Sequence, residues 1–132
     1  MDLVDRLRSR IAALPGIRLA VIFGSVARNE AGPRSDVDIG VLLDPDSEQP
    51  RWKIEAELGR AAGREVDVVF LGEAPPLLRF EISRDGMPLF ESEEGLWTGF
   101  KARAMVDWWD WAPYSRLFAV AAVRRLRENN HG

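Results

Sequence analysis

The stretch Leu19-Ala20-Val21-Ile22-Phe23-Gly24-Ser25-Val26-Ala27-Arg28-Asn29-Glu30-Ala31-Gly32-Pro33-Arg34-Ser35-Asp36-Val37-Asp38-Ile39-Gly40-Val41-Leu42-Leu43 decides the fold. It opens on an almost continuous apolar run, which predicts a buried strand over 18–23. It closes on an alternating run over 36–43. Val37, Ile39, Val41 and Leu43 share one face of that second strand, and Asp36, Asp38 and Gly40 share the other. Between the strands lie a Gly-Ser turn, a short helical stretch and a Gly-Pro break.

Working outward, Asp2 is placed to cap a first helix carrying Leu3, Leu7, Ile11 and Leu14, which Pro15-Gly16 ends. Asp44 to Pro50 is a polar loop. Residues 51–62 are expected to be helical, with Gly63 as the stop. Val66 to Leu71 is a third strand. A helix follows the turn 72–76 and runs to Ser83. Asp85-Gly86 is read as a hairpin-type turn before a short strand, Met87 to Phe90. Two helices are expected to close the chain, over 96–112 and 113–128, the second opened by Pro113. The prediction is a small mixed sheet with helices packed on it, an α+β fold.

Composition narrows the class. At 132 residues the chain is expected to be one domain, 1–132, with a catalytic core over about 16–91 and a helical segment over about 96–128. No stretch is long and apolar enough to span a bilayer, and no secretory leader is visible. Cysteine is absent, which excludes a disulfide framework and a thiolate metal site and fits a cytoplasmic protein. The net charge of −3 disfavours a broad nucleic-acid footprint, which is usually basic.

The chemistry is concentrated where the strands meet. Residues two apart on a strand point the same way, about 6.6 Å apart along it. Asp36 and Asp38 therefore project together, and their repulsion calls for a cation or a shared proton. Hard oxygen ligands with no thiolate and no nearby imidazole favour Mg²⁺ or Mn²⁺ over Zn²⁺. Gly24-Ser25 lets a phosphate approach the backbone, where amides at a helix start and the Ser25 hydroxyl can hold its oxygens. Asp67, alternating with Val66, Val68 and Phe70, supplies a third carboxylate able to bridge metal and activate an attacking hydroxyl. Two metals about 3.5–4 Å apart would then serve an in-line displacement. A lone Asp-x-Asp is commonly a solvated strand end, a lone Gly-Ser a turn, and Asp67 alone a surface carboxylate at a sheet edge. Taken together between two apolar strands, they describe a site for a metal-bound nucleoside triphosphate.

Gly24-Ser25, Ala27-Arg28, Glu30, Ser35-Asp36-Val37-Asp38 and Val66-Asp67-Val68-Val69 resemble the minimal nucleotidyltransferase (MNT) family of the DNA polymerase β superfamily. The likeness is greatest to MNT antitoxins, which are paired with HEPN-domain toxins. Asp85-Gly86-Met87-Pro88-Leu89-Phe90-Glu91 and Lys101-Ala102-Arg103 extend it more loosely. The resemblance implies a polymerase β palm-like mixed sheet, ATP with Mg²⁺, and AMP transfer to a tyrosine of a partner HEPN toxin. It implies that Gly24, Ser25, Arg28 and Ser35 contact the nucleotide, and that Asp36, Asp38 and Asp67 are the catalytic metal ligands. Asn29 departs from the pattern, which commonly has glycine there. Asn tolerates unusual backbone angles better than most residues.

Other residues leave alternatives open. Arg28 and Arg34 are candidates for phosphates or for surface ion pairs. Glu30 reads as the partner of such an arginine. Trp97, Trp108, Trp109 and Trp111, with Phe100, Tyr114 and Phe118, suit core packing or a protein interface, and Trp108-Trp109-Asp110-Trp111 cannot all face inward on one helix. Arg124, Arg125 and Arg127 suit a solvated last turn, and His131 is expected to be inert. Two function classes follow: an enzyme adenylylating a partner protein (or, as a variant, a small molecule), and a non-catalytic antitoxin that neutralises by contact. Oligomeric state is left open.

Overall fold

The computed structural model describes residues 1–131 except Ala31, Pro33 and Arg34, and the side chains of the described residues through 113 together with that of Arg124. Arg34 and the side chains of Tyr114, Phe118, Arg125, Arg127 and His131 lie outside the described residues.

Four strands form one mixed sheet in the order β3-β2-β1-β4. β1 (Ile17–Phe23) is central and antiparallel to both β2 (Val37–Leu43) and β4 (Met87–Glu91). β3 (Val66–Phe70) lies parallel to β2. A parallel pair needs a crossover, and α3 (Arg51–Ala62) supplies it.

The apolar run of β1 is continuous because both of its faces are covered. Ile17, Ala20 and Ile22 join Val37, Ile39 and Val41 in a core with Leu7 and Ile11 of α1 (Leu3–Ala13) and Ile54 and Leu58 of α3. Leu19 and Val21 point the other way, onto Ile82 of α4 (Pro76–Asp85) and Trp97 of α5 (Leu96–His131). On this second face α4 and α5 rest chiefly on β1 and β4. The β2–β3 half, which carries the carboxylates, is left open.

Local chemistry fixes the element ends. The Asp2 carboxylate accepts from the Asp5 amide at 2.8 Å and caps α1. Gly63 takes the left-handed conformation (φ 70) that ends α3. The α3 carbonyls of Ala61 and Ala62 accept from the Arg6 guanidinium at 3.0 and 3.3 Å, so α1 closes the C-terminus of its neighbour.

Two expectations are corrected. Asp85-Gly86 is no hairpin turn: Asp85 ends α4, and Gly86 is its extended C-cap leading into β4. A glycine is needed there for space, since a Cβ would lie 2.5 Å from the Ile82 carbonyl and 2.6 Å from Val21. The two C-terminal helices are one, α5, with Pro113 inside it. Proline removes the hydrogen bond to the carbonyl four residues back and crowds that carbonyl with its ring. That carbonyl belongs to Trp109, which is 66% exposed, so water can take its place.

The first half of α5 is anchored to α4. Phe80 stacks on Trp108 at 5.3 Å, and Arg79 pairs with Asp107 at 3.2 Å. Trp97 is buried, while Trp109 faces solvent and Trp111 leans on Trp108. The tryptophans thus divide between core and surface, as their spacing requires. Among the described residues, no helix is long and apolar enough to cross a membrane.

Candidate functional site

β1 ends at Phe23, whose register partner is Asp38 at the start of β2. The next residue, Gly24, turns the chain with φ 73 into the single-turn helix α2 (Gly24–Ala27). A Cβ at Gly24 would lie 2.2 Å from Asp38 Oδ2. Glycine is therefore demanded twice, by the backbone angle and by a carboxylate packed against the turn. The first amides of a helix have no helical acceptor, so those of α2 begin beside Asp38 and are free to meet an anion.

The helix ends as tightly as it begins. Asn29 takes φ 59, its amide donates to the Val26 carbonyl at 3.1 Å, and the Glu30 amide donates to the Ser25 carbonyl at 2.9 Å. These two bonds form a Schellman cap, which needs a left-handed residue at the position of Asn29. Asparagine in place of glycine preserves the turn. The cap brings Glu30 back to Arg28, and Nε of Arg28 lies 3.1 Å from Glu30 Oε2. The arginine–glutamate pair expected from the sequence is present.

Asp38 and Asp67 are register partners on the parallel strands β2 and β3. Neighbouring strands run about 4.8 Å apart, and both side chains leave the sheet on the face opposite Val37, Ile39, Val66 and Val68. Asp36 lies just before β2. Burial lifts the Asp38 carboxyl above its ordinary range, and the charges of Asp67 and Asp36 push it further up. Arg28 opposes them. Asp36 and Asp67 thus both act on Asp38, although among the described residues no three acidic side chains are gathered into a ready-made cation cage. The donor set suits a hard divalent cation: oxygen ligands only, with a carboxylate whose charge is uncompensated.

Ser35 serves the intervening loop. Its hydroxyl accepts from the Gly32 amide at 3.0 Å, and Arg64 Nη1 donates to the Ser35 carbonyl at 3.3 Å. Sequence reading missed Arg64, a basic residue before a strand with no motif to mark it. It also missed Asp85, whose carboxyl is drawn down by Arg84 and, more weakly, by Arg28. The end of α4 therefore lies within the electrostatic reach of the site. A cleft of about 560 Å³, lined by Gly16, Asp44, Ser47 and Lys53 among others, lies past the far end of β2 from Asp36 and is unrelated to the cluster.

A small mixed sheet with a Gly-Ser turn facing carboxylates on two adjacent strands is the plan of a nucleotidyl-transfer domain. The chain belongs to the polymerase β nucleotidyltransferase family, whose model matches residues 6–95. It is 37% identical over 73 residues to a candidate protein adenylyltransferase of Methanocaldococcus jannaschii, covering 54% of this chain and 78% of that protein. It is 29% identical over 82 residues to the protein adenylyltransferase MntA of Shewanella oneidensis, covering 61% of this chain and 59% of MntA. Among solved structures, a chain of a toxin–antitoxin complex with AMP-PNP superposes with a TM-score of 0.74 at 22% identity, covering 92% of this chain and 98% of that one. The fold is thus shared beyond the matched domain, through much of α5.

Proposed function

We propose that this chain is an antitoxin that transfers AMP from ATP to a hydroxyl, most simply a tyrosine, of a HEPN-domain toxin. Residues 1–132 are read as one nucleotidyltransferase domain acting in the cytoplasm. The observation that carries the reading is the pairing of Asp38 with Asp67 beneath Gly24, whose missing side chain the Asp38 carboxylate occupies. Support comes from the relatives: MntA is named a protein adenylyltransferase, and one similar structure is a tri-AMPylated HEPN toxin of Shewanella oneidensis in complex with MNT antitoxin.

Asp36, Asp38 and Asp67 would hold Mg²⁺, or Mn²⁺, which when bound neutralises triphosphate charge and polarises the phosphoryl group. The α2 amides and the Ser25 hydroxyl would receive phosphate oxygens, and Arg28 would add a charge-assisted bond. Asp67, the more exposed of the paired carboxylates, would accept the proton of the attacking hydroxyl as its oxygen bonds to the α-phosphorus. The bond to the β-phosphate oxygen breaks, and pyrophosphate leaves. The open β2–β3 face suits an acceptor presented by another protein better than an enclosed small molecule.

A second reading is neutralisation by contact alone. The exposure of Met105, Val106 and Trp109 on α5 favours a docking role for that helix. One experiment separates the two: label transfer from α-labelled ATP with Mg²⁺ to the cognate HEPN protein, with Asp36→Asn/Asp38→Asn as control. Label on the toxin that the double variant loses supports the enzyme. Full neutralisation by the double variant supports contact.

A further inference from the structure

Arg28 is surrounded by more negative charge than its one ion pair accounts for. Its guanidinium touches Glu30 at 3.1 Å. Its charge also reaches the carboxyls of Asp38 and Asp85, on β2 and at the end of α4. Of these three carboxylates only Glu30 contacts Arg28 directly, and the Schellman cap at Asn29 fixes the backbone that makes this contact. Both side chains are open to water, 45% exposed for Arg28 and 65% for Glu30. Such a pair is weak and easily exchanged, whereas a phosphate offers the planar guanidinium an anionic partner that can accept two parallel hydrogen bonds.

We propose that Glu30 competes with the nucleotide's phosphates for Arg28, so that triphosphate binding requires Arg28 to be handed from Glu30 to the ligand. This rests on the nucleotide-binding reading above and adds a device to it. Without nucleotide, Arg28 and Glu30 satisfy each other, and Arg28 moderates the repulsion around Asp38. When a triphosphate settles on the α2 amides, the guanidinium exchanges one anion for another at small net cost.

The test is equilibrium binding of ATP and of AMP, with Mg²⁺, to wild type, Glu30→Gln, Arg28→Gln and the double variant. Thermal unfolding of each reports separately on folding. Glu30→Gln should tighten ATP by about two- to fivefold, the span that an exposed ion pair's worth corresponds to, and should tighten AMP by no more than that, so the preference for the triphosphate does not narrow. Arg28→Gln should weaken ATP. In the Arg28→Gln background, Glu30→Gln should change nothing. A residue that merely shaped the loop would weaken binding when replaced, not tighten it. Weaker or unchanged ATP binding by folded Glu30→Gln overturns the inference, as does an equal gain without Arg28. If wild type binds no ATP, and Asp36→Asn/Asp38→Asn behaves identically, the nucleotide-binding reading itself has failed.

Discussion

Asp38 and Asp67 face each other across the parallel strands β2 and β3, and the same pairing that builds the site loads the sheet with charge. The Asp38 carboxyl is raised by burial first, then by Asp67 and Asp36. Between its ordinary value of 3.8 and that raised value, the folded chain binds more protons than the unfolded one. Stability therefore falls as pH rises through that window and stays lowered above it. Asp38→Asn should melt higher than wild type at pH 7 without metal, and the gain should vanish below the ordinary carboxylate range. Added Mg²⁺ should raise the wild-type melting temperature and leave the variant's nearly unmoved. Calorimetry across pH, with and without the cation, checks both; a variant less stable at pH 7 would contradict the charge-repulsion account.

Gly24 turns with φ 73 against the Asp38 carboxylate. Gly24→Ala should cost about 1–2 kcal/mol from the left-handed backbone alone. The new Cβ must also move Asp38. Displacing a reacting group by about 1 Å can cost on the order of 100-fold in rate. Label transfer should fall by at least that much while the denaturant midpoint drops only modestly. A variant with wild-type transfer would mean that Asp38 has freedom the packing does not suggest.

Asn29 carries the left-handed angle of the Schellman cap. Asn29→Gly should be neutral or should stabilise, by no more than about 1 kcal/mol, because relief of strain is offset by entropy gained in the unfolded chain. Asn29→Val should destabilise, since a β-branched residue strongly resists φ > 0. Urea unfolding of the pair would show opposite signs, or at least a clear difference in favour of glycine.

What the sequence disclosed follows from how local each signal is. The alternation of Val37, Ile39 and Val41 against Asp36, Asp38 and Gly40 announced which face would be buried, and the core contains those three residues. The Asp2 cap and the Gly63 stop were equally readable, because each depends on one residue's own chemistry. Gly86 was misread because its requirement is partly tertiary: besides clearing the Ile82 carbonyl of its own helix, it makes room for Val21 and Trp97 on other elements. Pro113 was misread because a proline's helix-breaking tendency is only a local cost, which a long helix with a wet outer face can bear. Arg64 and Asp85 join the site only through the sheet register and the position of α4. Nothing in their neighbours along the chain marks them.

Gly40 gives the last prediction. It sits two residues beyond Asp38 on the same face of β2, and a Cβ there would lie 2.7 Å from Leu71 Cδ2. Leu71 is buried with Leu19 and Val21, and its amide donates to the Val41 carbonyl at 2.9 Å, so its backbone cannot retreat. Gly40→Ala should therefore overpack this face and cost about 1–3 kcal/mol, although alanine suits a strand better than glycine does. Leu71→Ala alone should cost about 2–5 kcal/mol through the cavity it leaves. The double variant should be more stable than the sum of the two losses implies, because the new methyl group occupies part of that cavity. Chemical denaturation of the four proteins measures the coupling. Strict additivity would show that Gly40 and Leu71 do not meet, and that the floor beneath the carboxylates is built differently.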